Sequence, residues 1–268
     1  MVLTLVALAG VGGTGAMKIV KNTLGLLGVG GKPRLQQLVA YAQPQGGAKL
    51  WSVTLRYPAG DFEGYVDDAS GKVGTIQLAG SGRGPSPLRP GAKQLGQAVL
   101  EKKAWSVVNH FRGKQTLRFE NAHFGGGTWS AAFPIKVNGL DFLDSNMMYW
   151  VSLDSTSGAF VSYRAAPGIP PVPPASPKIT LAQAEKLIEK YKPAMPVSKR
   201  RFHPGATRAA LPHYGLELGY MFDDSKKVHL VWRGYYPYPD PLDSTKSLMG
   251  ERIVIDAHDG TFLKRSTY

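Results

Sequence analysis

The sequence predicts an α+β protein built from repeated units, each a helix packed on a small antiparallel sheet. Three observations predict it. The pattern Asp-x-x-x-Gly occurs three times between apolar segments, at Asp67 to Gly71, Asp154 to Gly158 and Asp256 to Gly260. An alternating stretch with a tryptophan precedes each turn, and a stretch of helical periodicity precedes that. A loop of this length closes on a residue of positive φ, which Gly tolerates, and Asp prepares it by bonding its own backbone two residues on. Val66, Leu153 and Ile255 precede the aspartates, and Val73, Phe160 and Phe262 follow the glycines by two residues. The six turn residues are therefore expected to be structural.

Residues 1–16 form an apolar run ending in Thr14-Gly15-Ala16, similar to the core and cleavage site of a secretory signal but without a basic start. Its alternative is a buried N-terminal element. Residues 17–78 form the first, more divergent unit: Leu35, Leu38, Val39 and Ala42 trace a short helix after Pro33, and Trp51, Val53, Leu55 and Tyr57 alternate as a strand. Residues 79–92 are a Gly/Pro linker. In the second unit, residues 93–164, Leu95, Ala98, Val99, Trp105, Val108 and Phe111 trace a helix, and Leu117 and Phe119 a strand. Residues 165–178 are Pro-rich and read as a stiff polyproline II spacer. The third unit, residues 179–268, has the clearest helix. Thr180 and Gln183 have capping-box spacing, Leu181, Ala184, Leu187, Ile188 and Tyr191 share a face, and Pro193 ends it. Leu216, Leu218 and Tyr220 begin its strands.

The run from Val254 through Asp256 and Gly260 to Leu263, with Leu230 to Arg233 and the helix from Thr180 to Tyr191 before it, resembles a PepSY domain. Tyr149 to Val161 repeats the shape more loosely. The resemblance covers most of residues 93–268, with a looser likeness over 33–78, and suggests the tandem PepSY-related proteins of the bacterial envelope. It implies a helix on an antiparallel sheet, in secreted and membrane-anchored proteins and in propeptides of thermolysin-like metalloproteases. Such modules act by binding, often as inhibitors or folding assistants, and carry no catalytic residues. Residues 1–268 depart from the propeptide case in having no protease domain after the module.

The net charge of +13 is uneven: residues 1–60 carry six Lys or Arg and no acid, residues 61–164 eleven against nine, and residues 165–268 fifteen against ten. A basic surface favours anionic partners by long-range attraction. Lys199, Arg200 and Arg201 form the densest cluster. The basic residues are otherwise dispersed and no nucleic-acid motif accompanies them, so nucleic acid is not expected. Without cysteine there are no disulfides, thiolate catalysis or Cys-based zinc sites.

Gly10 to Gly15 fits G-x-G-x-x-G, but a dinucleotide site needs an acid about 20 residues on, and the first acid is Asp61. The six histidines show no i, i+4 metal spacing. Cofactors and metals are therefore not expected. Tyr235, Tyr236 and Tyr238, interleaved with prolines, form the best candidate recognition loop, since amphipathic rings bury area with few rotatable bonds. The sequence thus points to a non-enzymatic extracytoplasmic protein that binds another protein or an anionic envelope polymer, with a membrane surface as a further candidate. Two alternatives stand beside it. One is an inhibitor or propeptide-like regulator of a secreted metalloprotease, and the other an envelope hydrolase with a site in the third unit near His203, His213 or Asp240.

Overall fold

The computed structural model describes residues 10–41, 49–79, 93–125, 127–166, 168–191, 215–239 and 247–267, with the backbone alone at residues 121, 236–239, 247–251 and 267. Among these residues there are three α-helices, α1 (Gly12–Leu26), α2 (Gln97–Phe111) and α3 (Leu181–Lys190). The strands are β1 (Arg34–Tyr41), β2 (Leu50–Tyr57), β3 (Gly60–Asp67), β4 (Val73–Leu78), β5 (Thr116–Leu117), β6 (Asn121–Gly125) and β7 (Thr128–Val137), then β8 (Leu140–Phe142), β9 (Met148–Asp154), β10 (Phe160–Arg164), β11 (Leu216–Phe222), β12 (Val228–Pro239), β13 (Ser247–Asp256) and β14 (Phe262–Thr267).

The protein is therefore mainly β, a mixed sheet of fourteen strands with three helices, which corrects the expected α+β set of separate helix-on-sheet repeats. Two pairings overturn it. Strands β4 and β10, expected in different units, pair antiparallel through Thr75↔Arg164, Ile76↔Tyr163 and Gln77↔Ser162. Strand β8 pairs β11 in parallel. The physical reason is that a four-strand sheet leaves rows of unpaired N–H and C=O groups at its edges, and a neighbouring edge in the same chain satisfies them.

The chain divides into two compact units, unit 1 being Met1–Ile135 with Asn146–Pro167 and unit 2 being Lys136–Ser145 with Gly168–Tyr268. Most of the expected first and second segments fall together in unit 1. In that unit the strand order is β1-β2-β3-β4-β10-β9-β7, with β5 and β6 also paired to β7. Helix α1 buries Ala16, Val20 and Leu24, at i, i+4 and i+8, against one face of β2 and β3. Its close approach is possible because Gly64 has no side chain: a Cβ there would lie 2.8 Å from Val20. Helix α2 buries Leu100, Ala104, Val107 and Val108, while Val99, expected on the buried face, is 47% exposed. Phe62 stacks on Phe160 at 6.4 Å between ring centres, so the apolar layer continues across the β4–β10 pairing.

The helix expected over Leu35 to Ala42 is a strand, β1, and residue 42 lies outside the described residues. A β-bulge explains the error. Leu35 pairs Leu55 and Leu38 pairs Val53, so three steps along β1 match two along β2. The extra residue brings Leu35 and Leu38 onto one sheet face with the i, i+3 spacing of a helix. Thr14, Gly15 and Ala16, expected to close a signal-like segment, lie in the first turns of α1, and Ala16 is fully buried.

Unit 2 orders its strands β8-β11-β12-β13-β14. Helix α3 begins as the sequence predicts. Thr180 Oγ1 accepts from the Gln183 N–H at 3.3 Å and Gln183 Oε1 from the Thr180 N–H at 2.9 Å. Ala184 and Ile188 are buried, and Gly234 of β12 leaves room for Ile188, 3.0 Å from where a Cβ would stand. The opposite sheet face is covered by Leu143, which packs with Met221, Val231 and Val254. The Pro-rich segment does not hang free. Tyr220 donates its hydroxyl hydrogen to the Pro173 carbonyl at 3.1 Å, and the N–H groups of Lys178 and Ile179 both reach the Ala257 carbonyl at 2.9 Å.

Candidate binding surfaces

The three Asp-x-x-x-Gly segments share one set of backbone bonds. The glycine N–H donates to the carbonyl of Asp67, Asp154 or Asp256 at 2.8, 2.8 and 3.0 Å. Gly71, Gly158 and Gly260 have φ of 66°, 67° and 78°, the left-handed region. In each turn the fourth residue (Ser70, Ser157 or Asp259) accepts from the N–H two residues on, at 3.3, 3.1 and 2.8 Å. The residue after each aspartate then ties the turn to a helix start. The carbonyls of Asp68, Ser155 and Ala257 accept from Val11, Leu95 and Ile179, at 2.8, 2.8 and 2.9 Å, just ahead of α1, α2 and α3. Each turn is thus a bracket between a sheet end and a helix end, which accounts for the recurrence of its sequence.

Beside the first bracket, Asp68 accepts from Trp51 Nε1 at 2.7 Å and from the Gly12 N–H at 2.9 Å. Those bonds, the tryptophan's foremost, hold its carboxyl below the usual range. Glycine at position 13 permits close packing, since a Cβ would lie 2.9 Å from Leu38 and 3.2 Å from Trp51. The glycine-rich run therefore serves helix-on-sheet packing at this point.

In unit 2, His229 lies between two carboxylates, with Nδ1 2.6 Å from Asp256 Oδ2 and Nε2 3.0 Å from Asp223 Oδ2. A protonated ring donates to both, a neutral ring to one. The Asp223 carboxyl is pulled down to about 2, first by the bond from Ser225, then by the Lys227 N–H and His229. Nearby, buried Arg233 donates to the Leu143 carbonyl at 2.8 Å and to Glu217 at 3.0 Å. Asp144 accepts from the Phe222 N–H at 2.7 Å, yet burial pushes its carboxyl up. These side chains fasten the Leu143–Asp144 segment to the sheet. Spacing marked Asp256 as a turn residue but gave no sign of the roles of Arg233 and Asp144, whose partners Leu143 and Phe222 lie 90 and 78 residues away. Among the described residues no group of three or more His, Asp or Glu is arranged to hold a metal ion.

Tyr235, the first residue of the candidate recognition loop, belongs to β12. Its half-buried ring has the Arg233 and Arg252 guanidiniums 5.1 and 5.4 Å from its centre. Tyr236 and Tyr238 continue the strand, pairing Glu251 and Met249 of β13, so the expected loop is one side of a β-ladder. Their side chains lie outside the described residues, as do Lys199, Arg200, Arg201, His203, His213 and Asp240.

In unit 1 the sheet face away from α1 is polar. Ser52, Tyr65 and Gln77 all bond to Glu63, and the Tyr65 hydroxyl is pushed up to about 12, chiefly by its bond to that carboxylate. Farther along, Trp150 and Arg164 line an open groove of about 380 Å³, with the guanidinium 5.5 Å from the ring centre. The first six basic residues of the chain, Lys18, Lys21, Lys32, Arg34, Lys49 and Arg56, are all exposed in this unit. Arg56 is paired with Asp61 at 2.7 Å.

No protein-family model matches the sequence, and no curated protein matches it. Among solved structures the chain is similar to the Bacillus megaterium YpeB C-terminal domain, with a TM-score of 0.60 and 12% identity over 96% of this chain and 98% of that one. The likeness is one of fold, and it supports a PepSY-like fold without supporting a tandem array of separate repeats. No helix among the described residues is long and apolar enough to cross a membrane.

Proposed function

We propose that this chain is a non-catalytic binding protein of the bacterial envelope that works outside the cytoplasm and holds an anionic partner. One observation carries the reading: six exposed cations precede the first acid in the sequence, and they sit on α1, β1, β2 and the segments flanking β1 in one unit. Asp61 pairs with Arg56, and Asp68 keeps its charge beside Lys49, so the excess positive charge rests with Lys18, Lys21, Lys32 and Arg34. A field of one sign draws an oppositely charged partner and weakens as salt rises. The PepSY-like fold agrees with a binding role. Retention of the full chain on an immobilised polyanion, polyglutamate or polyphosphate, tests it. Elution should need more salt than for a variant with Lys18, Lys21, Lys32 and Arg34 changed to Gln. Identical elution of the two proteins would remove the reading.

A further inference from the structure

We propose that β1 is a docking edge at which an extended acidic segment of a partner protein adds as a further strand beside Gln37–Tyr41. This rests on the anionic-partner reading and names where and how that partner binds.

Strand β1 ends the ladder of unit 1, with β2 on one side and no strand on the other among the described residues. Every residue of β1 except Val39 is exposed, whereas half of β2 is buried. Leu35, Leu38 and Tyr41 are 47, 36 and 48% exposed, an unusual density of apolar surface for one eight-residue strand. Protein edges are ordinarily blunted by charge, proline or a bulge. Those devices are present here only at the start of the strand, as Pro33, Arg34 and the bulge before Gln37. From Gln37 to Tyr41 the edge carries none.

The register shows what an added strand would meet. Leu38 pairs Val53 and Ala40 pairs Trp51 on the side of α1, while Gln37 pairs Thr54 and Val39 pairs Ser52 on the polar side. An added strand with apolar residues on the first side would continue the layer under α1. Strand addition supplies affinity through main-chain bonds, and the alternating side chains supply specificity.

Charge selects the occupant. Exposed Lys32 and Arg34 flank one end of β1, Lys49 stands one residue before Leu50, which pairs Tyr41 at the other end, and Lys18 and Lys21 are on the neighbouring helix. A second copy would set this basic edge against itself, whereas a segment alternating acidic and apolar residues complements both the charge and the shelf.

The test uses the full chain and a labelled eight-residue peptide alternating Glu and Val, followed by fluorescence anisotropy at low salt. Binding should weaken at least about tenfold when alternate backbone amides on one peptide edge are N-methylated, and likewise when Glu is replaced by Lys. Leu38→Gln should weaken it several-fold at a temperature where the variant is still fully folded, its thermal midpoint falling somewhat because Leu38 also packs beside Gly13 of α1. Amide exchange should slow on peptide addition within Gln37–Tyr41. Equal binding of the N-methylated peptide, or protection elsewhere than β1, overturns strand docking. Self-association with protection of β1 in the absence of peptide would make the occupant a second copy and overturn the acidic-segment proposal. If polyanion retention survives while the peptide fails, docking at β1 alone falls; if both fail, the anionic-partner reading falls with it.

Discussion

The turns at Asp154 and Asp256 have the same backbone but use their carboxylates in opposite ways. Asp154 Oδ1 accepts from both the N–H and the hydroxyl of Thr156 and of Ser157, at 2.7 to 3.0 Å. Burial works to raise that carboxyl, but these bonds outweigh it and hold it low. Asp256 takes one local bond, from the His258 N–H at 2.7 Å, and gives its other oxygen to His229, 27 residues away. Both turns keep the glycine bond and the helix anchor. The backbone and the glycine therefore set the turn. The aspartate side chain is a local clasp in unit 1, and in unit 2 it joins β12 to the turn.

Substitution of the glycines should break the likeness most. Gly260→Val is expected to cost about 3 kcal/mol, combining left-handed strain with overpacking, since a Cβ would lie 2.9 Å from Leu187 of α3. At Gly158 the nearest atoms belong to the movable end of Lys103, so Gly158→Val should cost only the strain, about 1.5 kcal/mol. Urea melts of the two variants measure the gap, and equal losses would show that the contact with α3 does not matter.

Removing the aspartates should sharpen the contrast. Asp256→Ala takes one of two carboxylate partners from half-buried His229 and the turn bond from His258, and is expected to cost about 2 kcal/mol, while Asp154→Ala gives up local, partly solvated bonds for about 1 kcal/mol. A double-mutant cycle with His229→Gln should show coupling to Asp256 and none to Asp154.

The smallest effects are those of pH. The folded Asp223 carboxyl, at about 2, lies below its ordinary 3.8, so its stabilisation is complete above pH 4 and fades as pH falls toward 2. Tyr65 behaves in the opposite sense. Its folded value of about 12 exceeds the ordinary 10, so its contribution is full below pH 10 and is lost on the way to 12. Thermal midpoints across both ranges should decline at each end. His229→Gln should flatten the acid limb, because it removes one of the donors to Asp223.

The capping box at Thr180 and the glycine turns were legible in the sequence because each bond spans only a few residues. The β1 bulge was not, since an inserted residue shifts the face of everything beyond it and leaves Leu35 and Leu38 in helical spacing. The pairing of β4 with β10 was equally hidden. Edge strands join through backbone groups that every residue carries, so side-chain pattern does not record which edges meet. Of the candidate surface, aromatic composition marked Tyr235, but its placement on β12 between Arg233 and Arg252 follows from the register of a long hairpin. The exposed edge of β1 left no mark, because exposure depends on which strands are absent beside it.

The pairing of β4 with β10 also sets a timetable for synthesis. Some 80 residues of chain separate Leu78 from Phe160, and at translation rates of roughly 5 to 20 residues per second β10 follows β4 by about 4 to 16 seconds. Throughout that interval β4 is a second open edge on the nascent protein, and a chaperone that masks it early in biogenesis would suppress association between neighbouring chains on one messenger. The need for such cover ends when Arg164 has left the ribosome and reached Thr75.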